Sequence, residues 1–403
     1  MNTAHELILV GGVLGLISVF AVTIGARFNA PILLIFLLLG MLAGEDGPGR
    51  IQFADFRAAY LIGSIALTII LFEGGLKTER AMIRIALWPS VVLATVGVAL
   101  TAAVVGTAAV WLFHLSWTEA LLIGAVLAPT DAAAVNTLLR AARVAVPQRV
   151  SAALEVESGL NDPMSVFLTV LLMQSLTSSG NSTIGGGVIF FLEEMAGGAI
   201  IGLFGGFLLL RLLRKLPLPA AIYPVLALAC VLVVFGGAQL IGASGFLAVY
   251  LMGIIVGVNR FESQRAVVYA SEAFAWLAQI ALFLMLGLLV TPHTLIPLVR
   301  PILLITAVLV LIARPVATFG CLLPFGYSAR ETAFASWVGL RGAVPIYLTI
   351  IPVLAGSRNA ALLFGATFGV VIVSLVLQGW TISPAARVLG FGRMPTQQSI
   401  AKA

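Results

Sequence analysis

Charged side chains are scarce in this 403-residue chain, where Asp, Glu, Lys and Arg together make up 9% of the sequence. A soluble domain carries about 25% charged residues, so the composition argues against an ordinary water-soluble fold. Cysteine is also rare, and Cys230 and Cys321 lie far apart inside apolar stretches. Two such residues provide no disulfide or metal-binding framework. The few histidines lie at the ends of predicted spans, which argues against a histidine metal site: His5, His114 and His293.

Apolar residues dominate what is present: they make up 61% of the chain, and the mean hydropathy is +1.13. Apolar stretches of roughly 20 residues, the length of a transmembrane helix, recur along nearly the whole sequence. The shorter alternating segments of a membrane β-barrel are not seen. The first apolar stretch, Leu7 to Ile24, has no Lys or Arg before it, unlike a cleavable signal peptide. The sequence therefore predicts an all-α polytopic membrane protein.

The hydropathy pattern predicts 13 transmembrane helices. The second is short and ends in the turn sequence GEDGPG, and only IGASG separates the eighth from the ninth. The approximate limits of the spans are 6–26, 31–44, 58–76, 85–113, 118–141, 149–177, 187–213, 220–240, 243–259, 270–291, 298–323, 332–354 and 359–381.

The distribution of basic residues predicts the orientation in the membrane. Loops on the cytoplasmic side are enriched in Lys and Arg. With the N-terminus outside, most of the 22 basic residues fall at the cytoplasmic ends of the spans. The exceptions at the outer ends are Arg50, Arg57, Arg300 and Arg358. We therefore expect a plasma-membrane protein with an outside N-terminus and a cytoplasmic C-terminus.

Ionisable residues inside spans are candidates for function, because a charge at mid-membrane costs at least a few kcal/mol. Acids outnumber bases in this set. A purely structural set of ion pairs tends to balance, so the excess of acid indicates carboxylates that carry protons or meet an external cation. The residues are Glu73, Asp131, Glu155, Glu157, Asp162, Arg314 and Arg341.

The sixth span contains the polar sequence ESGLNDPM, residues 157 to 164. At helical spacing, Ser158 and Asp162 share one face, while Glu157 and Asn161 share the next. Oxygen ligands of this kind suit a hard cation. Pro163 removes a backbone hydrogen bond and disfavours helix at the preceding Asp162, which predicts a loosened backbone and a free carbonyl nearby.

Two spans contain sequences that interrupt a helix. In VLAPTDAAAV of the fifth span, Pro129 disfavours helix at the residue before it, and either Thr130 or Asp131 suits the cap of a new helix. GLRGAVP of the twelfth span is predicted to be broken as well, with Arg341 neutralising carbonyl ends. Breaks in corresponding halves mark transporter binding sites, and they predict two inverted repeats, spans 1–6 and 8–13.

These motifs together resemble the NhaP/NHE-like branch of the monovalent cation–proton antiporters. The resemblance is carried by PTDAAAV, ESGLNDPMSVF, IARP and GLRGA, and it covers essentially the whole chain. The sequences around Thr-Asp and Asn-Asp are most similar to a bacterial NhaP subgroup of potassium/proton antiporters. Ala132 and Gly159-Leu160 depart from the more typical NhaP pattern, which leaves the preferred ion open.

The resemblance implies a cation and proton site on spans 5 and 6. Asp162 is the carboxylate that binds either a cation or a proton, and Asn161 is its hydrogen-bonding neighbour. Ser158 and the backbone of Thr130 complete the shell around the monovalent cation.

Further roles are implied for residues around this site. Asp131 acts nearby, and Glu73 on span 3 approaches the ion. Glu157 forms a structural ion pair with Arg314 of span 11, and Arg341 supports the helix break. From the residues alone, the role of Glu155 stays open, and Glu73 fits a span-end residue near water equally well.

The resemblance also implies the organisation of the transmembrane antiporter domain, residues 1–390. A core of about 85–177 and 298–381 moves against a scaffold of about 6–76 and 187–291, which forms a homodimer. Residues 391–403 form a short cytoplasmic tail, which is either naturally short or the start of a longer cytoplasmic region.

The expected function is secondary active transport, in which K⁺ or Na⁺ is exchanged for H⁺ by elevator-like alternating access. Burial disfavours the charged form of a carboxylate and a bound cation favours it, so proton and cation compete for Asp162. Two adjacent acids would titrate as a pair, whereas Asn161 cannot ionise, so an electroneutral 1:1 exchange is expected. The implied partners are the lipid bilayer and a second copy of the chain. No enzyme activity, cofactor or nucleic-acid partner is implied.

Two alternatives use the same residues differently. A cation channel is consistent with breaks and a titrating acid. An intramembrane aspartyl protease would use Asp131 and Asp162 as a dyad sharing a proton. The Gly-x-Gly-Asp context of such enzymes is missing from both positions, and Asn161 and Thr130 would have no role.

Overall fold

The computed structural model describes residues 2–28, 31–177 and 184–392. Within these ranges the regular structure is helical and contains no β-strand, which confirms the all-α class. The predicted cytoplasmic tail lies outside the described residues from position 393 onward.

The first part of the chain forms eight α-helices. A π-helical turn, Leu93–Gly97, joins the fourth and fifth into one continuous helix, Arg80–Phe113. The bounds are α1 Asn2–Phe28, α2 Ile32–Ala43, α3 Phe56–Lys77, α4 Arg80–Val92, α5 Val98–Phe113, α6 Trp117–Val126, α7 Ala132–Ala141 and α8 Gln148–Thr177.

The second part continues with ten more among the described residues. The π-helical turn Leu309–Ala313 joins α13 to α14 within one helical stretch, Pro292–Phe325. The bounds are α9 Ile184–Lys215, α10 Ile222–Leu240, α11 Gly245–Gly257, α12 Gln264–Leu289, α13 Val299–Val308, α14 Arg314–Leu322, α15 Ala329–Trp337, α16 Ala343–Leu348, α17 Ile350–Leu354 and α18 Ala360–Val388.

Judged by length and composition, 7 of the described helical stretches are long and apolar enough to cross a membrane. Further apolar helices of 10–17 residues are shorter, and they include one half of each interrupted span, Trp117–Val126 and Ala343–Leu354. Helix α8 is 30 residues long and carries the polar sequence of the sixth span. The number of spans, their direction and the two repeats stay predictions.

Both interrupted spans are built in the same way. Ser116 and Glu119 form a capping box at the start of α6, and Ser328 and Glu331 form one at the start of α15. In each box the serine hydroxyl accepts the backbone amide of the glutamate, and the glutamate carboxylate accepts the backbone amide of the serine, which fixes where the helix begins. The backbone then leaves the helix at residues 127–131 and again at residues 338–342. This parallel favours the predicted relation between the two halves of the chain.

The backbone at Asp162 differs from the prediction. Helix α8 continues through Asp162 and Pro163 up to Thr177, so the expectation that Pro163 disfavours helix there was wrong. Proline still removes one hydrogen-bond donor from the helix. A helix that packs against several neighbours in a membrane bundle tolerates this loss, and α8 contacts α4, α6 and α11.

Helices α3 and α11 approach each other closely because glycines face each other across the contact. A Cβ added at Gly75 would lie 3.0 Å from the backbone nitrogen of Ile254, and closer still to the carbonyl of Tyr250. A Cβ added at Gly253 would lie 3.0 Å from the backbone nitrogen of Leu76. Small residues allow the close backbone approach that stabilises membrane helix pairs.

We expect Gly75→Ala to destabilise the protein by about 1–3 kcal/mol, because the new methyl group meets backbone atoms that cannot rotate away. Gly74→Ala is the matched control, since a Cβ there meets nothing within 4 Å. The measurement is thermal unfolding of both purified variants in detergent. Equal melting temperatures for the two variants would contradict the proposed contact.

Candidate functional site

A cavity of about 690 Å³ lies where α3, α7, α8, α12 and α16 meet. Acidic side chains are prominent in its wall. They are Glu73, Glu79, Asp131, Glu155, Asp162 and Glu272. The cavity therefore presents a strongly negative surface in an otherwise apolar bundle, which suits a cation.

Asp162 lies on α8 at the wall of this cavity. Its Oδ1 atom is buried and has no hydrogen-bond partner among the described residues. Burial of an ionised carboxylate without a partner is costly, so such a group acquires a proton or a cation. Asp162 is therefore a candidate for binding a proton or a cation in this wall.

The neighbours of Asp162 on α8 bind the interruption between α6 and α7. Asn161 is fully buried and donates from Nδ2 to Thr130 Oγ1 over 2.9 Å. Ser158 Oγ donates to the carbonyl of Thr130 over 2.8 Å and accepts from the amide of Ala132 over 3.3 Å. Because the Ser158 hydroxyl and the Thr130 carbonyl are in contact, a single ion can touch both oxygens.

Asp131 connects the two interruptions to each other. It caps α7, where its Oδ1 accepts the amide of Ala134 over 2.9 Å. Its own amide donates to the carbonyl of Leu340 in the second interruption, also over 2.9 Å. A Cβ at Gly342 would collide with the Asp131 carboxylate, so the absence of a side chain there leaves room for this acid where the two segments cross.

Arg341 lies in the second interruption and binds the backbone of the first. Its Nη1 donates to the carbonyls of Ala128 and Pro129 over 2.8 and 2.9 Å. These carbonyls follow the C-terminal end of α6, where a cation is favourable. The side chain is 1% exposed, so the contact lies deep in the bundle.

Two polar residues of α18 that the sequence analysis did not select support Arg341. The amide of Arg341 donates to Ser374 Oγ over 3.1 Å, and Ser374 donates to Gln378 Oε1 over 2.6 Å. Gln378 Nε2 in turn donates to the carbonyl of Trp337 over 2.7 Å. The available signal was a pair of polar residues four positions apart in the apolar sequence VIVSLVLQGW.

Glu157 and Arg314 form a buried, bidentate ion pair between α8 and α14. Arg314 Nη1 donates to Glu157 Oε1 over 2.5 Å, and Nη2 donates to Oε2 over 2.9 Å. The two side chains are only 1% and 4% exposed. The planar guanidinium matches both carboxylate oxygens, which fixes the relative position of the two helices.

Glu73 and Glu155 line the same cavity but bind other partners. Glu73 forms an ion pair with Lys77 one helical turn later. Glu155 accepts a hydrogen bond from Asn136 Nδ2 over 3.4 Å. Among the described contacts neither acid is hydrogen-bonded to Asp162, so the structure brings them to the cavity without joining them to the α8 site.

The known proteins that this chain resembles have names that describe cation/proton exchange. A family model described as "Sodium/hydrogen exchanger, transmembrane" matches residues 15–388. The chain is 48% identical over 389 residues to the K(+)/H(+) antiporter NhaP of Alkalimonas amylolytica, covering 96% of this chain and 68% of that protein. It is 43% identical to the K(+)/H(+) antiporter NhaP2 of Shewanella baltica (strain OS223), covering 96% and 67%.

More distant similarity extends to sodium antiporters. The Na(+)/H(+) antiporter NhaH of Halobacillus dabanensis is 27% identical, with 97% of this chain and 100% of that protein covered. Among solved structures, the sodium proton antiporter MjNhaP1 from Methanocaldococcus jannaschii at pH 8 superposes with a TM-score of 0.81. Its sequence identity is 23%, and the match covers 96% of this chain and 100% of that one, which establishes a shared fold.

We expect Glu157→Gln to reduce the free energy of unfolding by about 3–5 kcal/mol, because it leaves the buried Arg314 charge without a partner. Asp162→Asn removes an unpartnered charge and should keep or raise the stability. Thermal unfolding in detergent compares the two variants directly. Comparable melting temperatures would show that Glu157 and Arg314 do not stabilise the bundle.

Proposed function

The chain belongs to the sodium/hydrogen exchanger family, a family of membrane antiporters and not of enzymes, and on this premise we propose that it exchanges K⁺ or Na⁺ for H⁺ with Asp162 as the carrier. The observation that carries the proposal is the buried Oδ1 of Asp162, which lacks a partner among the described residues beside two crossed helix interruptions. Every other buried acid described around the crossing is already engaged by a donor.

Coupling follows from competition for this one carboxylate. The charged form of Asp162 is unfavourable in an apolar bundle, and either a proton or a monovalent cation neutralises it. If the site crosses the membrane only when neutralised, each cation that moves one way is balanced by a proton that moves the other way. Coupled exchange then requires no cofactor.

The cation shell proposed for the bound state consists of oxygen atoms. Asp162 provides the charge, while the Ser158 hydroxyl and the Thr130 carbonyl provide neutral ligands. The side-chain amide of Asn161 holds Thr130 in position by donating a hydrogen bond to its hydroxyl oxygen. Oxygen ligands with one negative charge suit a monovalent hard cation.

We assign the two bracing contacts to the moving core. Glu157 with Arg314, and Arg341 with the carbonyls after α6, tie α8, α14 and both interruptions into one unit. That unit comprises about residues 85–177 and 298–381, and it moves elevator-like against a scaffold of about 6–76 and 187–291. The scaffold forms the interface of a homodimer in this proposal.

K⁺ is the proposed preferred ion. The relatives at 42–48% identity have names that specify K(+)/H(+) exchange, whereas the relative named for Na(+)/H(+) exchange is 27% identical. Similar site chemistry is more often shared by the nearer relatives, so potassium is placed ahead of sodium.

The geometry of Asp131 disfavours the protease alternative. An aspartyl dyad requires two carboxyl groups that share a proton. The Asp131 carboxylate instead accepts the amide of Ala134 as the cap of α7. This hydrogen bond commits the Asp131 carboxylate to capping α7, which suits a structural role better than a shared proton.

We expect wild-type protein in lipid vesicles to show saturable K⁺ flux driven by a pH gradient, and Asp162→Asn to reduce this flux to background. Glu193→Gln is the control, because Glu193 is an exposed acid on α9 away from the cavity. Tests with K⁺, Na⁺ and Li⁺ in turn give the ion preference. Substantial exchange by Asp162→Asn would refute the assignment of the carrier, and flux that never saturates would favour a channel.

The neutral side chain at Asn161 leads us to expect a 1:1 electroneutral exchange. Net flux should then vanish when the cation concentration ratio across the vesicle equals the proton ratio, whatever the membrane potential. Asn161→Asp adds a second acid beside Asp162 and should make the balance point depend on voltage. A voltage-dependent balance point in the wild-type protein would overturn the proposed stoichiometry.

A further inference from the structure

Lys77 makes contacts that the exchange mechanism above does not use. It is the last residue of α3, and its ammonium forms an ion pair with Glu73 one turn earlier on the same helix. The same Nζ atom lies 3.3 Å from Oε1 of Glu272 on α12. All three side chains line the cavity that also contains Asp162. A positive charge of the protein itself is therefore held in the cavity of a cation transporter.

The three side chains differ in exposure. Glu73 is 14% exposed, whereas Lys77 is 43% and Glu272 is 45% exposed. The Glu73 carboxylate is thus fixed in the wall, and the lysine reaches it from the open side on a flexible four-carbon chain. Because Glu272 offers a second carboxylate in a more exposed position, Lys77 can leave Glu73 without losing its ionic partner.

We propose that Lys77 is a tethered cation that occupies Glu73 when no transported cation is in the cavity, and that it thereby sets the affinity of the cavity for the transported ion. The inference rests on the proposed exchange function and adds a specificity-determining residue on the scaffold side. A lysine ammonium is a compact single positive charge, so it competes with K⁺ or Na⁺ for one carboxylate at a time.

The other charges in the cavity determine whether loss of the Lys77 charge strengthens or weakens cation binding. Among the described lining residues, Lys77 and Arg140 are the basic ones, and acids outnumber them. Removal of the Lys77 charge makes the cavity more negative and attracts cations and protons alike. The other ionisable groups facing this space are Glu79, Asp131, Arg140, Glu155, Asp162 and Tyr250.

Competition between the transported cation and the proton predicts how removal of the Lys77 charge changes the exchange kinetics. At alkaline pH protons compete weakly, so the stronger attraction should lower the KM for the cation. At lower pH the attraction of protons offsets this gain. The pH range of exchange should therefore move to more alkaline values, an effect that a merely structural role of Lys77 would not produce.

The experiment measures K⁺/H⁺ exchange over a range of pH by the full chain in vesicles. For Lys77→Met we expect a KM for K⁺ about three- to tenfold lower at alkaline pH, together with the alkaline shift of the pH range. Lys215→Met is the matched control, since Lys215 is an exposed lysine at the end of α9 and does not line the cavity. An unchanged KM and pH range in Lys77→Met would overturn the proposal.

Two further variants test whether Lys77 acts through its ion pair with Glu73 or only through the electrostatic potential of the whole cavity. Lys77→Arg keeps the charge and should stay close to wild type. If Lys77 acts through Glu73, the effect of Lys77→Met on KM should be much smaller in a Glu73→Gln background, and an equal effect would count against the pairing. A wild-type protein without any cation/proton exchange would defeat the proposed function itself, whereas normal exchange with unchanged Lys77→Met kinetics would defeat only this inference.

Discussion

Interrupted helices inside an apolar bundle expose backbone groups that have no water to bind, and the site depends on how these groups are satisfied. The two interruptions solve this problem for each other. The amide of Asp131 finds the carbonyl of Leu340, and the guanidinium of Arg341 finds the carbonyls of Ala128 and Pro129. Each break is thus stable because the other lies against it, and the crossing becomes a rigid polar centre within the membrane.

Around this centre, almost every buried charge has a fixed partner. Glu157 is held by both terminal nitrogens of Arg314, and Asp131 is held by the N-terminus of α7. Asp162 is the contrasting case, because its buried Oδ1 has no partner among the described residues. This difference distinguishes two kinds of carboxylate. In the proposed mechanism, the carboxylates with permanent partners maintain the structure, whereas Asp162 is free to bind and release a mobile ligand.

The charged side chains of the cavity wall also differ in how firmly they are held. Lys77 contacts Glu73 and Glu272 but is far more exposed than Glu73, so its charge can move without being buried. The wall thus combines a largely buried acid, Glu73, with a partly exposed base, Lys77. In the proposed mechanism, Asp162 performs the exchange, and the position of Lys77 adjusts how strongly the surrounding acids attract the ion.

The sequence by itself determined the features that local chemistry controls. Long apolar stretches predicted membrane helices, and proline and glycine marked the two interruptions. The Ser-x-x-Glu sequences at Ser116 and Ser328, which the structure shows as helix starts, follow an equally local rule. These rules act within about one turn of helix, so neighbouring letters carry them. The same local rule failed at Pro163, because packing of α8 against several helices outweighed one lost hydrogen bond.

Only the tertiary structure decided which distant groups meet. Nothing near Arg341 in the sequence indicates that it binds the carbonyls after α6, that Ser374 and Gln378 support it, or that Glu272 shares Lys77 with Glu73. Contacts of this kind join residues far apart in the chain, and their geometry depends on how whole helices pack. The sequence thus indicated where the acids are, while the fold decided which of them have hydrogen-bond partners and left the buried Oδ1 of Asp162 without one among the described residues.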